Sequence, residues 1–421
     1  MKRIAITASI VLLLVSCRKE ADYVPYVGEP SKLAYSTYTE QFDYLWKTIS
    51  TAYVFWDVDT VDWDAAYERY RPRFEALDLK FADSGYVRTS EFSELYTGLI
   101  GPLRDHHLTF IANNLHPAPG EWGGRAVVQP GNMEVSQRDY YIEGRDKAVA
   151  KLRSFQDNMP NLYTIGVYGR DSASIPEMGG TIVEYRYYQI ILEDGRVVPY
   201  LWQSMAAITP VMRDMKGSGA QIIIDAWLSE ICNTPRDQIA GIILDNRANR
   251  GGFQDDLDYL VGPFINKRTE IFKTRYKEGP GRLEYSAWCP YYQDTNREYR
   301  RDITAEGIPY VVLTDVLSVS MGEIEPIVIK AVLPTAHIIG ERTFGGTGPL
   351  QTNQVDLNYG GPFGRNGEDN HYVYTSTFET LIGGRVREGE GLVPDEELLR
   401  KDFGGDYKPQ LDAALDYIRA H

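Results

Sequence analysis

The sequence predicts an α/β protein with a helical N-terminal domain, on three observations. Aromatic-rich runs at helical spacing fill Thr39 to Phe110, and strand and helix patterns alternate from Tyr187 onward. Between them lies a stretch of weak pattern punctuated by Pro117, Pro119, Gly120, Gly123 and Gly124. A length of 421 residues suits about two or three domains, and 43% hydrophobic with 12% aromatic residues supplies sizeable cores.

In chain order, Met1-Lys2-Arg3 and the apolar run Ile4 to Val15 form a charged head and a hydrophobic stretch too short to span a bilayer. This predicts an export signal over residues 1–16. Leu14-Val15-Ser16-Cys17 resembles the lipobox of bacterial lipoproteins, which implies lipidation at Cys17, a polar tether over 17–35 and attachment to the cell envelope. The implied location is the outer membrane, facing periplasm or exterior.

Three helices are expected in 36–110. Phe42, Leu45, Trp46, Ile49 and Tyr53 follow a Thr39 cap, Trp63, Tyr67, Tyr70, Phe74 and Leu77 follow Asp62, and Phe92, Leu95, Tyr96, Leu99 and Leu103 follow Ser90. Residues 111–186 form a linking segment in which Leu162 to Val167 reads as strand. The core is expected in 187–421. Its strands are Tyr187 to Leu192, Val197 to Leu201, Ile239 to Leu244, Ile308 to Thr314 and His337 to Gly340. Its helices are Ala220 to Ile231, Asp255 to Phe264 and Glu323 to Leu333, with a hairpin-like stretch from Thr269 to Trp288. Pro326 predicts an irregular first turn in the last helix.

A formal charge of -15, two units more acidic once Lys2 and Arg3 leave with the leader, argues against binding phosphate backbones. No basic run, Gly-rich phosphate loop or Cys/His cluster with metal spacing is present, so no nucleic acid, metal or organic cofactor is expected. Beyond Cys17, Cys232 and Cys289 either pair or stay as two free thiols.

Four segments carry candidate chemistry. Leu317 to Glu323 joins a strand to a helix, where Ser318 and Ser320 either cap the helix or, at its N-H groups, one of them becomes a nucleophile. Gly251-Gly252 after a buried strand either turns the chain or presents N-H groups to an oxyanion. His106-His107 closes the third helix, as a solvated helix end or as a base. Gly384 to Asp395 is an acidic, glycine-punctuated loop, a solvated turn or a source of a carboxylate that orients the base.

In order and composition these segments resemble the C-terminal processing and tricorn-type serine peptidases, a family that includes the retinol-binding-protein repeats. Asp245 to Gly252 resembles its D-L-R-x-N-x-G-G, with Asn246 in place of leucine. Ser320-Met321-Gly322-Glu323 resembles S-A-G-E, Gly340 to Gly346 resembles G-E-x-T-F/W-G-G, and Glu388 to Asp395 resembles E-G-x-G-V-x-P-D. Where the processing branch carries its lysine base this chain has Gly346, while Asp105 to Phe110 resembles the histidine-bearing D-G-H-T-x-L of the tricorn branch, with His106 replacing glycine. The N-terminal helices, through Tyr53, Val61 to Asp64 and Tyr70 to Pro72, resemble that branch too.

The resemblance implies a β-α superhelical core of the ClpP/crotonase kind behind an N-terminal three-helix domain. It implies Ser320 as nucleophile, His107 as base and Glu388 as the orienting carboxylate, directly or through a hydroxyl. Oxyanion donors would be the N-H of Met321 with that of Gly251 or Gly252. The implied substrate is a peptide or protein, cleaved through an acyl-enzyme. Two other readings keep the same cleft: an inactive ligand- or peptide-binding lipoprotein, and an esterase.

Overall fold

The computed structural model describes residues 36–121, 124–130, 145–350 and 372–421. The expected leader, the tether and Cys17 lie outside the described residues. No helix among the described residues is long and apolar enough to cross a membrane.

The N-terminal helices form where aromatic spacing places them. Thr37 caps α1 (Tyr38–Ala52) in a capping box with Glu40, two residues before the expected Thr39. Asp62 caps α2 (Trp63–Ser84), and Gly85 ends it in the left-handed conformation. α3 (Thr89–Ile100) follows. Phe42, Leu45, Ile49, Phe74, Phe92, Tyr96 and Leu99 all pack into one core. That core extends past residue 110, because β1 (Thr109–Asn113) and β2 (Arg125–Val128) add Phe110, Ala112, Ala126 and Val128.

From residue 145 the expected linking segment leads into the main sheet. α4 (Arg145–Leu162) leads into β3 (Ile165–Ile175), which pairs antiparallel with β4 (Thr181–Ile191), which pairs antiparallel with β5 (Val197–Gln203). After α5 (Ile208–Asp214) and α6 (Gly219–Asn233) the chain turns parallel. β6 (Ile242–Asp245) joins β5, and β9 (Tyr310–Thr314) joins β6. After α8 (Met321–Val332), β10 (Ala336–Gly340) joins β9, and the short β14 (Glu396–Glu397) closes the edge. The order is β14-β10-β9-β6-β5-β4-β3. Every residue of β6 and β9 is buried, as expected for strands covered on both faces. Ile224 and Trp227 of α6 and Val328 of α8 lie in one core cluster, Leu152 of α4 and Leu411 of α9 (Lys408–Ala420) in another.

Between β6 and β9 the expected helix Asp255 to Phe264 is broken. Only α7 (Leu257–Leu260) is α-helical, flanked by 3₁₀ turns at Gln254–Asp256 and Gly262–Phe264. Pro263 lacks the N-H a helix needs and disfavours helical backbone at Gly262. The hairpin is real but longer than expected: β7 (Thr269–Tyr276) pairs with β8 (Cys289–Gln293). β11 (Tyr372–Tyr374) returns to pair with β1, and β12 (Phe378–Ile382) and β13 (Arg385–Val386) extend the β7–β8 sheet. Cys232 and Cys289 are free thiols, the first half-buried and the second exposed.

The adjacent parallel strands β6, β9 and β10 run in the same direction. Their carboxyl ends therefore deliver three consecutive loops to one edge of the sheet, at residues 246–252, 315–320 and 341–348, the usual place for a site in an α/β sheet.

Candidate active site

The loop after β9 is shaped by Asp315, fully buried, whose Oδ1 accepts the N-H of Ala248 (2.9 Å), Leu317 (2.9 Å) and Ser318 (3.1 Å). Ser318 is structural, its Oγ donating to the Asn246 carbonyl at 2.7 Å. Ser320 differs. It precedes α8 at φ 58°, ψ −125°, and its side chain makes no capping hydrogen bond. Among the described residues, only Ala248 and Ser320 are non-glycine residues with positive φ. Each such conformation costs about 1–3 kcal/mol and persists only where the surroundings impose it. Here the imposing contacts are the Asp315 bond to Ala248 and the bond from the Ser320 N-H to the Gly346 carbonyl, 3.0 Å.

The loop after β6 presses on that turn. A Cβ at Gly251 would lie 2.5 Å from Ser320 Cβ, and one at Gly322 would lie 2.5 Å from the Asn249 carbonyl, so both glycines are sterically required. The Gly251 N-H is already given to Asn249 Oδ1 at 2.9 Å. The N-H groups of Gly252 and Met321 have no acceptor among the described residues. Of the two glycines, Gly252 thus retains an open donor and Gly251 supplies shape.

Asn246, the departure from leucine, enters a buried polar network. Its Nδ2 donates to Glu325 at 2.7 Å and to the Gly322 carbonyl at 3.4 Å. Pro326 has no N-H for the Gly322 carbonyl one turn back, so Asn246 occupies the acceptor that the proline leaves open. α8 accordingly begins at Met321 and runs through Pro326, its first turn tightened, with Gly322 N-H on the Val319 carbonyl and Glu323 N-H on that of Ser320. Gln203 also donates to Glu325, at 3.1 Å, and burial pushes this carboxyl well above the usual carboxylate range.

The loop after β10 lies between two buried glutamates. Glu323 accepts the N-H groups of Gly345 and Gly346, both at 2.7 Å, and the Thr343 hydroxyl. Burial raises its pKa to about 7 against those bonds. Glu388 Oε2 accepts Thr347 N-H (2.6 Å), Thr347 Oγ1 (3.1 Å) and Gly348 N-H (2.7 Å), while Oε1 accepts His106 N-H at 2.8 Å.

His107 sits against this loop. Its Cε1 would be 3.3 Å from a Cβ at Gly346, the residue whose carbonyl holds Ser320. Ser320 and His107 thus both adjoin Gly346, and a side chain there would run into the imidazole. His107 Nδ1 is buried and without a hydrogen-bond partner. Burial lowers its pKa, opposed by the charge of Asp105. His106 turns aside: its Nδ1 lies 3.0 Å from the Phe344 carbonyl, so that nitrogen carries the proton.

Sequence reasoning passed over the groups that hold the His107 loop. Asp105, fully buried, accepts His107 N-H (2.8 Å) and Ser376 Oγ (3.0 Å) on Oδ1, and Thr375 Oγ1 (2.6 Å) and Ser376 N-H (2.8 Å) on Oδ2. Tyr53 OH accepts the N-H groups of Arg104 (2.9 Å) and Asp105 (3.1 Å) and donates to Asp59 at 2.6 Å. Donor atoms of Asp105, His107 and Glu388 lie within 4.8 Å of one another, a grouping able to hold a metal ion. Each of the four carboxylate oxygens, however, already accepts at least one protein N-H or O-H.

Residues 218–398 match Peptidase family S41. Residues 35–79 match the Tricorn protease C1 domain. The S41 region holds Gly251, Gly252, Ser320 and Glu388, while His107 lies between the two matches. No curated protein matches the sequence. Among solved structures, a putative peptidase from Parabacteroides merdae ATCC 43184 superimposes with a TM-score of 0.57 at 17% identity, over 91% of this chain and 97% of that one. Mature CPAF complexed with lactacystin gives 0.55 at 12% identity, over 91% and 99%. At these identities the likeness is one of fold: an α/β core with an N-terminal helical region, as the sequence predicts.

Proposed function

We propose that this chain is a serine-type peptidase in which Ser320 attacks a peptide carbonyl and His107 is the base. The observation that carries the reading is the strained, non-capping Ser320, whose N-H bonds the carbonyl of the same Gly346 that His107 packs against. With Nδ1 buried, Nε2 is the nitrogen left to take the Oγ proton and return it to the leaving amine. The lowered pKa keeps the imidazole neutral, hence basic, near neutral pH. The N-H groups of Met321 and Gly252 stabilise the oxyanion beside the N-terminus of α8. Water then hydrolyses the acyl-enzyme. Glu388 supports the site by joining His106 to the loop that faces Ser320.

A fluorophosphonate probe tests this. The wild type should be labelled, Ser320→Ala should not, and His107→Ala should be slower by on the order of a thousandfold. Absence of labelling from mildly acid to mildly basic pH would instead favour a ligand-binding role for the cleft. Hydrolysis of a mixed peptide library, compared with simple esters, separates peptidase from esterase. The proposal includes anchoring through Cys17: Cys17→Ser should move the protein from the membrane fraction to the soluble one.

A further inference from the structure

Two buried carboxylates stand beside His107, and the structure gives them different work. Glu388 directs both oxygens at backbone and hydroxyl donors of His106, Thr347 and Gly348, and none of these bonds reaches the imidazole. Asp105 accepts the backbone N-H of His107 at 2.8 Å and is held by Thr375 and Ser376, so it fixes the residue through its main chain, with no bond to the ring. Its Oδ atoms accept four donors, which fix the carboxyl in place.

We infer that Asp105, and not Glu388, is the residue that positions His107 and balances the imidazolium formed when the Ser320 proton arrives. Glu388 is then the clamp that fastens the 347–348 backbone to the His107 loop. This rests on the acyl-transfer reading above and departs from the assignment the family resemblance implies.

Charge supports the geometry. Two carboxylates this close and this buried do not both ionise readily. Burial, then the Asp105 charge, push Glu388 well above the usual carboxylate range, whereas Asp105 acts on His107 to favour its charged form. The other groups nearby are Glu323 behind Gly345 and Gly346, His106 on the Phe344 carbonyl, and Arg104 facing Glu390 at 3.9 Å. None of these has a hydrogen bond to the His107 ring.

The test is the His107 pKa, followed by NMR of histidine labelled at Cε1 and assigned with His107→Ala, alongside the pH profile of probe labelling. Asp105→Asn should lower that pKa by about one unit or more and slow labelling on the order of a thousandfold. Glu388→Gln should leave the pKa in place and labelling within about tenfold. Should Asp105→Asn not fold, a gentler pair decides. Thr375→Val removes one bond that shields Asp105 and should raise the His107 pKa and the acid limb together, while Thr347→Val, which does the same to Glu388, should move neither. The inference is overturned if the Glu388 and Thr347 variants shift His107 and the Asp105 and Thr375 variants do not, or if none does. The NMR reading needs no turnover, so an unlabelled wild type would count against the acyl-transfer reading while leaving the pairing measurable.

Discussion

At Gly251 the need for glycine is double, since φ is +82° and a Cβ would meet Ser320 Cβ at 2.5 Å and the Met321 nitrogen at 2.8 Å. Gly251→Ala should therefore abolish probe labelling and lower the melting temperature, whereas Gly404→Ala, also at positive φ (+67°) but with open space around it, should cost stability alone. Asn246 makes a subtler case. Replacing it with leucine strips a donor from Glu325 and from the Gly322 carbonyl. A loss of about 1–3 kcal/mol in urea unfolding is expected. Pro326→Ala restores the helical N-H to Gly322, so the double variant should be less destabilised than the two single changes added together. The sequence showed Asn246 as a departure from pattern. It did not show its complement, because the partners are 76 and 79 residues away and meet only once β6 and α8 pack.

Among the elements, those legible in sequence were the ones whose periodicity packing also obeys: α1 to α3, and strands buried on both faces such as β9. The misread helix at Asp255 to Phe264 carried a sufficient apolar pattern but also Gly262-Pro263, and backbone chemistry prevailed. The β7–β8 hairpin shows what pattern cannot supply. Arg275 pairs with fully buried Glu379 and with Asp57, its guanidinium 4.1 Å from the Tyr285 ring and 4.4 Å from that of Trp288. Arg282 reaches Asp64 beside Trp46 and Trp56. The hairpin thus fastens the N-terminal unit, bearing the His107 loop, to the core bearing Ser320. Arg275→Ala strands the Glu379 carboxylate and should cost about 3–5 kcal/mol, with a parallel fall in labelling. Arg282→Ala loses a pair whose carboxylate is largely exposed, and should cost under about 1 kcal/mol apart from its ring contacts. Equal effects from the two would contradict this division.

Among the described residues of the whole molecule, more carboxyls are buried than are paired with buried cations, and this sets the response to pH. Burial raises the pKa of Glu230, Glu325 and Glu388, and raises Asp256, Glu323 and Glu379 to about 7. A carboxyl whose pKa is higher in the fold binds its proton more tightly there, so stability falls as pH rises from about 4.5, and the share from Asp256, Glu323 and Glu379 is largely lost once pH passes about 7. His107 and His337 are lowered by burial and work the other way, losing stability as pH drops below the ordinary histidine range. Six groups oppose the two histidines across that interval and Lys277, lowered by burial to about 8, at its alkaline end, and a shift from 4.5 to about 7 corresponds to roughly 3 kcal/mol at full ionisation. The urea midpoint should therefore rise as pH is lowered from about 8 to about 5.5. The net charge of -15 pushes in the same direction through surface repulsion, but salt separates the two effects. Repulsion between exposed charges is screened within a Debye length of about 8 Å at physiological ionic strength, and buried carboxyls are screened far less. The slope should consequently survive high salt, and Glu323→Gln should remove part of it. A slope abolished by salt would assign the effect to the surface, and the buried glutamates around Ser320 would then carry little of the cost assigned to them.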